Sequence, residues 1–234
     1  MKRKTTTLLA GCLIVLSAAA ASAQTRVPYN DNPNSFRIRS GEFRPDGNSI
    51  YWEQREIDFF GTADDWEDSS WGVDFQHRWS EHLGFRIGFN NWDGGVRTSF
   101  RDFVDDDDFE IEHDASLDVD RLDFGIVWYP IRASRRLAPY VGGGFSFAEY
   151  ALEERGDFID FGTFDVTEER VFTEDNTMGW FWVAGLEVGL AEHVAAFGEA
   201  RWYAVDDSLR NGFREFGNLD LGGRDLSAGL AFRW

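Results

Sequence analysis

Three kinds of stretch in the chain carry side chains able to do chemistry. His113-Asp114, with Ser116 close by, supplies a base, an orienting carboxylate and a hydroxyl nucleophile. Those residue types hydrolyse or transfer acyl groups. Sequence proximity does not make a triad, because the roles are fixed by geometry, and the chain has no G-x-S-x-G turn. Carboxylates cluster in Asp64-Asp-Trp-Glu-Asp68, in Asp102 with Asp105-Asp-Asp-Asp108, Glu110 and Glu112, and in Glu153, Glu154, Asp157, Asp160, Asp165, Glu168 and Glu169. Such oxygens ligate Ca2+, but these lack EF-hand spacing and a glycine-containing calcium loop. They read as a solvated, mutually repelling surface. Gly142-Gly-Gly144 is followed by neither Lys-Ser/Thr nor a helical pattern, so it reads as room for a bulky neighbour or as curvature within a strand. His77, His82, His113 and His193 are too scattered for zinc, and His77 reads as interfacial. The expectation is no catalytic, cofactor-binding or metal-binding residue.

The elements that hold these residues have their own pattern, clearest in the last nine residues. Leu226, Ala228, Leu230, Phe232 and Trp234 alternate with Ser227, Gly229, Ala231 and Arg233. That period of two marks a strand with one greasy face. An aromatic last residue suits the interfacial girdle of a membrane barrel. At the other end, Met1-Lys-Arg-Lys4, the apolar run Leu8 to Leu16 and Ala21-Ser-Ala23 compose a secretory signal cleaved between Ala23 and Gln24. Leu9-Ala-Gly-Cys12 also matches a lipoprotein box, which would lipidate Cys12 instead. Cys12 is the only cysteine, so ordinary cleavage leaves no disulfide or thiol chemistry. Losing Lys2, Arg3 and Lys4 takes the formal charge from −19 to −22, and every remaining cation apart from histidine is Arg. So acidic a chain is a poor partner for nucleic acid.

Seven further strands are expected, at 35–45, 70–79, 83–92, 118–130, 139–151, 177–190 and 195–205, with the eighth from about Leu219 to Trp234. Residues 48–60 offer a competing strand. Arg at the bilayer midplane on the lipid side costs ~2–4 kcal/mol, so the charged face of each strand points inward. That places Asp74, Arg78, Arg86, Arg121, Asp123, Glu187, Glu199, Arg201 and Arg233 in an interior charge network. An interior of this size is filled by side chains, and its charges need partners. Short connections near 80–83, 131–138 and 191–194 alternate with long ones near 46–69, 92–117, 152–176 and 206–218. Membrane barrels pair short periplasmic turns with long extracellular loops in this way. Alternating acids and aromatics in the long loops suggest strands continuing beyond the membrane as hairpins.

From Ser35 to Trp234 the chain resembles the small eight-stranded outer-membrane β-barrel superfamily, which includes the OmpA transmembrane domain and the OmpW and opacity-like porin families. The signal, the alternating strands, Glu199-Ala-Arg201 inside and the assembly signal Leu226, Leu230, Phe232 and Trp234 carry the likeness. It implies an all-β fold: an eight-stranded antiparallel up-and-down transmembrane barrel with short periplasmic turns and long acidic extracellular loops. The implied organisation is a signal peptide at 1–23, a periplasmic segment at 24–34 and the barrel domain at 35–234. The implied location is the cell outer membrane, reached through the barrel-assembly machinery and surrounded by outer-membrane lipid, with the protein a monomer and free of cofactors. The expected function is non-enzymatic, a structural or surface-interaction role through the acidic loops, with an extracellular ligand left unidentified. The alternatives are a small channel for small or hydrophobic solutes, a lipid-modifying enzyme resting on His113 and Ser116, and a soluble lipocalin-like carrier.

Overall fold

Alternation with a period of two builds a closed wall. The computed structural model describes residues 32–104, 109–131, 136–159 and 166–234, apart from the side chains of Asn211 and Glu215. In chain order the elements are β1 (Asn34–Pro45), α1 (Ile50–Asp58), β2 (Asp68–Arg78), β3 (Leu83–Val104), β4 (Glu110–Trp128), β5 (Leu137–Ile159), β6 (Val166–Gly189), β7 (Val194–Ala204), β8 (Asp206–Ser208), β9 (Asn218–Asp220) and β10 (Gly223–Arg233). Short 3-10 turns at Ala63–Trp66 and Asn211–Phe216 complete the set. Eight strands close an antiparallel barrel in the order β1-β10-β7-β6-β5-β4-β3-β2, while β8 and β9 pair with each other. Closure runs from Ser35↔Arg233 to Pro45↔Gly223, so the terminal strands leave no open edge between them. The signal segment, including Cys12, Ala23 and Gln24, lies outside the described residues.

The outward face is apolar in a belt. Leu226, Leu230, Phe232 and Trp234 all point out, as do Phe124, Ile126, Trp180 and Trp182. Tryptophans mark both rims: Trp71, Trp180 and Trp202 at the outer one, Trp79, Trp128 and Trp234 at the periplasmic one. Trp71 and Trp79 lie about 26 Å apart along the chain, or about 20 Å along the axis at the usual tilt, a belt of membrane height. Three histidines fasten the periplasmic ends of strands. His77 Nδ1 lies 2.8 Å from Asn34 Oδ1, His82 Nδ1 2.7 Å from the Tyr129 carbonyl, and His193 Nδ1 3.0 Å from the Arg233 carbonyl.

Four strands do not stop at the belt. β6 has 24 residues, about 80 Å of extended chain, far more than a hydrocarbon core of about 30 Å requires. The expected loops 92–117 and 152–176 are therefore largely paired strand, with β3 and β4 in register down to Ser99↔Glu112 and β5 and β6 to Ile159↔Val166. Two sequence expectations change. Residues 50–58 form a helix and not a strand, because Tyr51, Trp52 and Arg55 share one buried helical face. The last barrel strand begins at Gly223 and not Leu219. Asn218–Asp220 is taken by β8, and Gly223 turns at φ +153, where a Cβ would stand 2.3 Å from the Arg44 carbonyl oxygen.

Candidate functional site: a charge-filled lumen under an extracellular cap

Inward positions of the belt carry charge, and burial makes each charge depend on its neighbours. Asp74, Arg86, Arg121, Asp123, Glu187, Glu199, Arg201 and Arg233 are all buried inside the barrel. Arg78 stands apart from them. It is half-buried at the periplasmic rim and donates to the Asn32 carbonyl at 2.7 Å. Arg37, Arg39 and Asp225 join the eight, so the described part of the lumen holds six guanidinium groups against five carboxylates.

Glu199 is the hub. Its Oε2 accepts from Arg86 Nη1 at 2.9 Å, Tyr140 Oη at 2.7 Å and Arg37 Nη2 at 3.3 Å, and its Oε1 accepts from Arg201 Nε at 2.7 Å. Arg201 also grips both oxygens of Asp74 at 2.8 and 2.9 Å and donates to Asp123 at 3.0 Å. Asp123 further accepts from Ser146, Asn90 and Tyr203 at 2.7, 2.7 and 3.0 Å. Toward the periplasm Glu187 binds Arg37 at 2.7 Å and Arg233. Toward the outside Asp225 accepts from Ser70 and, at 3.4 Å, from Arg39. Arg121 has no carboxylate within bonding distance among the described residues. It donates to the Leu221 carbonyl at 2.8 Å and lies 4.4 and 4.6 Å from the Phe43 and Tyr203 ring centres. Arginine suits this place because its planar fork serves two or three acceptors at once.

Glycine makes the room. A Cβ on Gly185 would stand 2.3 Å from the Tyr140 ring, which carries the hydroxyl that reaches Glu199. A Cβ on Gly144 would stand 1.9 Å from the Phe124 carbonyl oxygen, so Gly142-Gly-Gly144 is a place of close backbone approach.

The outer mouth is roofed. Trp52 of α1 meets Trp66 edge to face at 5.1 Å and donates its indole N–H to the Asp220 carbonyl at 3.0 Å. Tyr51 packs on Phe213 and Phe216 of the second 3-10 turn. Below them Phe43, Trp92, Val119 and Tyr150 close the lumen. Above lies a buried polar latch. Glu154 Oε1 accepts from Tyr51 Oη and from Arg55 Nη1, both at 2.7 Å, and its Oε2 lies 3.2 Å from His113 Nε2. Phe59 and Phe158 flank the His113 ring at 4.6 and 4.8 Å. Burial acts to raise the Glu154 carboxyl, but the hydrogen bond from His113 and the Arg55 charge outweigh it and hold the group at about 2. Burial, then the Glu154 charge, pushes Tyr51 well above the usual phenol value, so its hydroxyl remains a donor.

Here the sequence expectations shift again. Glu154, grouped with the solvated acids, is buried and paired. His113 points inward while Ser116, an odd number of residues along the same strand, points out, so the two never meet. The sequence pattern does not assign Arg37, Arg39, Asp225 and Tyr140 to the lumen, whereas Tyr129 and Tyr203 take the inward positions that alternation shares with Arg121, Asp123, Glu199 and Arg201. The alternation of Phe36 and Ile38 with Arg37 and Arg39 was the available signal for the first two.

A family model described as "Outer membrane protein beta-barrel domain" matches residues 8–233. No curated protein matches the sequence. Among solved structures, the outer membrane protein OprG from Pseudomonas aeruginosa is similar at 13% identity and a TM-score of 0.55, covering 87% of this chain and 97% of that one. Neisserial surface protein A is similar at 10% identity and a TM-score of 0.50, covering 86% and 96%. At such identities the likeness is one of fold.

Proposed function

Because this chain belongs to the outer membrane protein β-barrel family, we propose that it is a non-enzymatic outer-membrane barrel that holds a rigid acidic wall of hairpins above the membrane for surface contacts. The observation that carries this reading is the division of the molecule at the outer rim. Below it the lumen is packed with paired charge and roofed by α1, which favours a rigid support over a conduit. Above it β3 to β6 continue as one paired sheet whose outward positions include Asp93, Glu112, Asp118, Asp120, Glu149 and Glu174. A wall of that sign attracts cationic partners through a field that salt screens.

The test uses the full mature protein in nanodiscs of uncharged lipid, titrated with a fluorescent lysine-rich peptide. Binding is expected to weaken steeply as salt rises. A variant with Asp93, Asp118, Asp120 and Glu149 changed to Asn or Gln should bind at least tenfold more weakly while keeping its folded barrel. Peptide binding that is indifferent to salt and to these substitutions would overturn the reading.

A further inference from the structure

Register sorts the outward face of the β3–β6 wall into rows. One row reads Gly95↔Ser116↔Glu153↔Phe172, and the next one outward reads Arg97↔Asp114↔Arg155↔Arg170. Because Gly95 and Ser116 carry little or no side chain, the first row sinks below the second. The result is a concavity of about 440 Å³ lined by Gly95, Ser116, Arg97, Asp114, Glu153 and Arg155 among others. We propose that this niche binds an uncharged saccharide.

Three observations select that ligand. The first is the charge balance. Arg97 and Arg155 face Asp114 and Glu153, so the lining is neutral in sum although the wall around it is acidic. Asp93, Asp118, Asp120 and Glu149 lie between the niche and the apolar belt and would repel a phosphate or carboxylate approaching from the membrane. The second is the mixture of donors and acceptors. Arg97 and Asp114 hold each other in a fork at 2.7 and 3.1 Å, and Arg170 fixes Glu153 at 2.7 Å, which presents their unspent positions in a set geometry. Arg155 reaches Glu168 only at 3.7 Å and keeps guanidinium donors available. Alcohol groups both donate and accept, so a polyol matches such a lining better than an ion does. Phe172 completes the row beside Glu153, and its exposed ring offers an apolar platform for the C–H face of a sugar.

The third observation is height. Ser116 is six residues beyond Leu122, the last apolar outward residue of β4, which is about 15 Å along the barrel axis. The polar layer of a bilayer adds only about 5–8 Å to each side of the hydrocarbon. A simple phospholipid headgroup therefore does not reach the niche. Sugars do, whether they extend from an outer-leaflet glycolipid or arrive free in solution.

The experiment titrates the full mature barrel in detergent, by calorimetry, with three uncharged probes: a neutral oligosaccharide free in solution, the same oligosaccharide carried on a dialkyl glycolipid, and the dialkyl lipid without its sugar. Ser116→Trp fills the niche at an outward strand position, and Arg155→Ala removes its free donors. Each variant is checked for an unchanged heat-dependent shift on a gel. Saturable binding of the free oligosaccharide, weakened at least tenfold by both substitutions, is the expected result. If the glycolipid shows the same dependence, a sugar borne by the membrane reaches the niche. If only the free oligosaccharide does, the source is soluble. Absence of oligosaccharide binding, binding that survives Ser116→Trp, or equal binding of the sugar-free lipid would overturn the proposal.

Discussion

Glu199 shows what a single residue does in this lumen. It accepts from three arginines and a tyrosine. Truncating it leaves buried guanidinium groups with an acceptor missing, a change that typically costs about 3–5 kcal/mol. Glu199→Ala should therefore lower the stability of the refolded barrel by about that amount in urea unfolding. Arg97→Ala, which removes an exposed pair at the wall, should change it by less than about 1 kcal/mol. Comparable losses for the two would show that the lumen network is not what holds the barrel. The charged inward residues were legible one by one because each interrupts an apolar alternation. Which charge binds which was not, because partners such as Arg201 and Asp74 come from strands far apart in sequence.

At the scale of an element, α1 stays docked through Glu154. The Glu154 carboxyl moves from an ordinary 4.5 to about 2 in the folded state, which corresponds to about 3 kcal/mol of stabilisation. A depressed carboxyl contributes that stability fully above pH about 4.5 and loses it as pH falls through about 2. Amide protection in α1, corrected for intrinsic exchange, should thus fall between those values while the belt strands stay protected. Glu154→Gln should expose α1 at neutral pH. Full protection of α1 in the variant would show that aromatic packing alone docks the helix. This helix was hidden in the sequence. Ile50, Tyr51, Trp52, Ile57 and Phe59 satisfy helical and extended spacing about equally, and burial against Trp66 and Phe213 decides between them.

The whole molecule is a closed cylinder with no exposed hydrogen-bonding edge within the belt. Such a barrel resists detergent until heated, so boiled and unboiled samples should run at different apparent sizes. With its lumen packed and its mouth roofed, the refolded protein should also pass no steady current across a planar bilayer. Sustained conductance altered by Glu199→Ala would instead mean that the network parts to form a path.

The order of residues by itself determined the membrane barrel: alternation sets which face meets lipid, the cost of charge in hydrocarbon sets its direction, and connection lengths set its polarity. Those are local rules, written within each strand. Tertiary structure alone decided the height of the β3–β6 wall, the helical cap, the burial of Glu154 and the hollow beneath Arg97 and Arg155. Each depends on register between strands and on packing between segments far apart in the chain, where local pattern leaves the choice open and burial makes it.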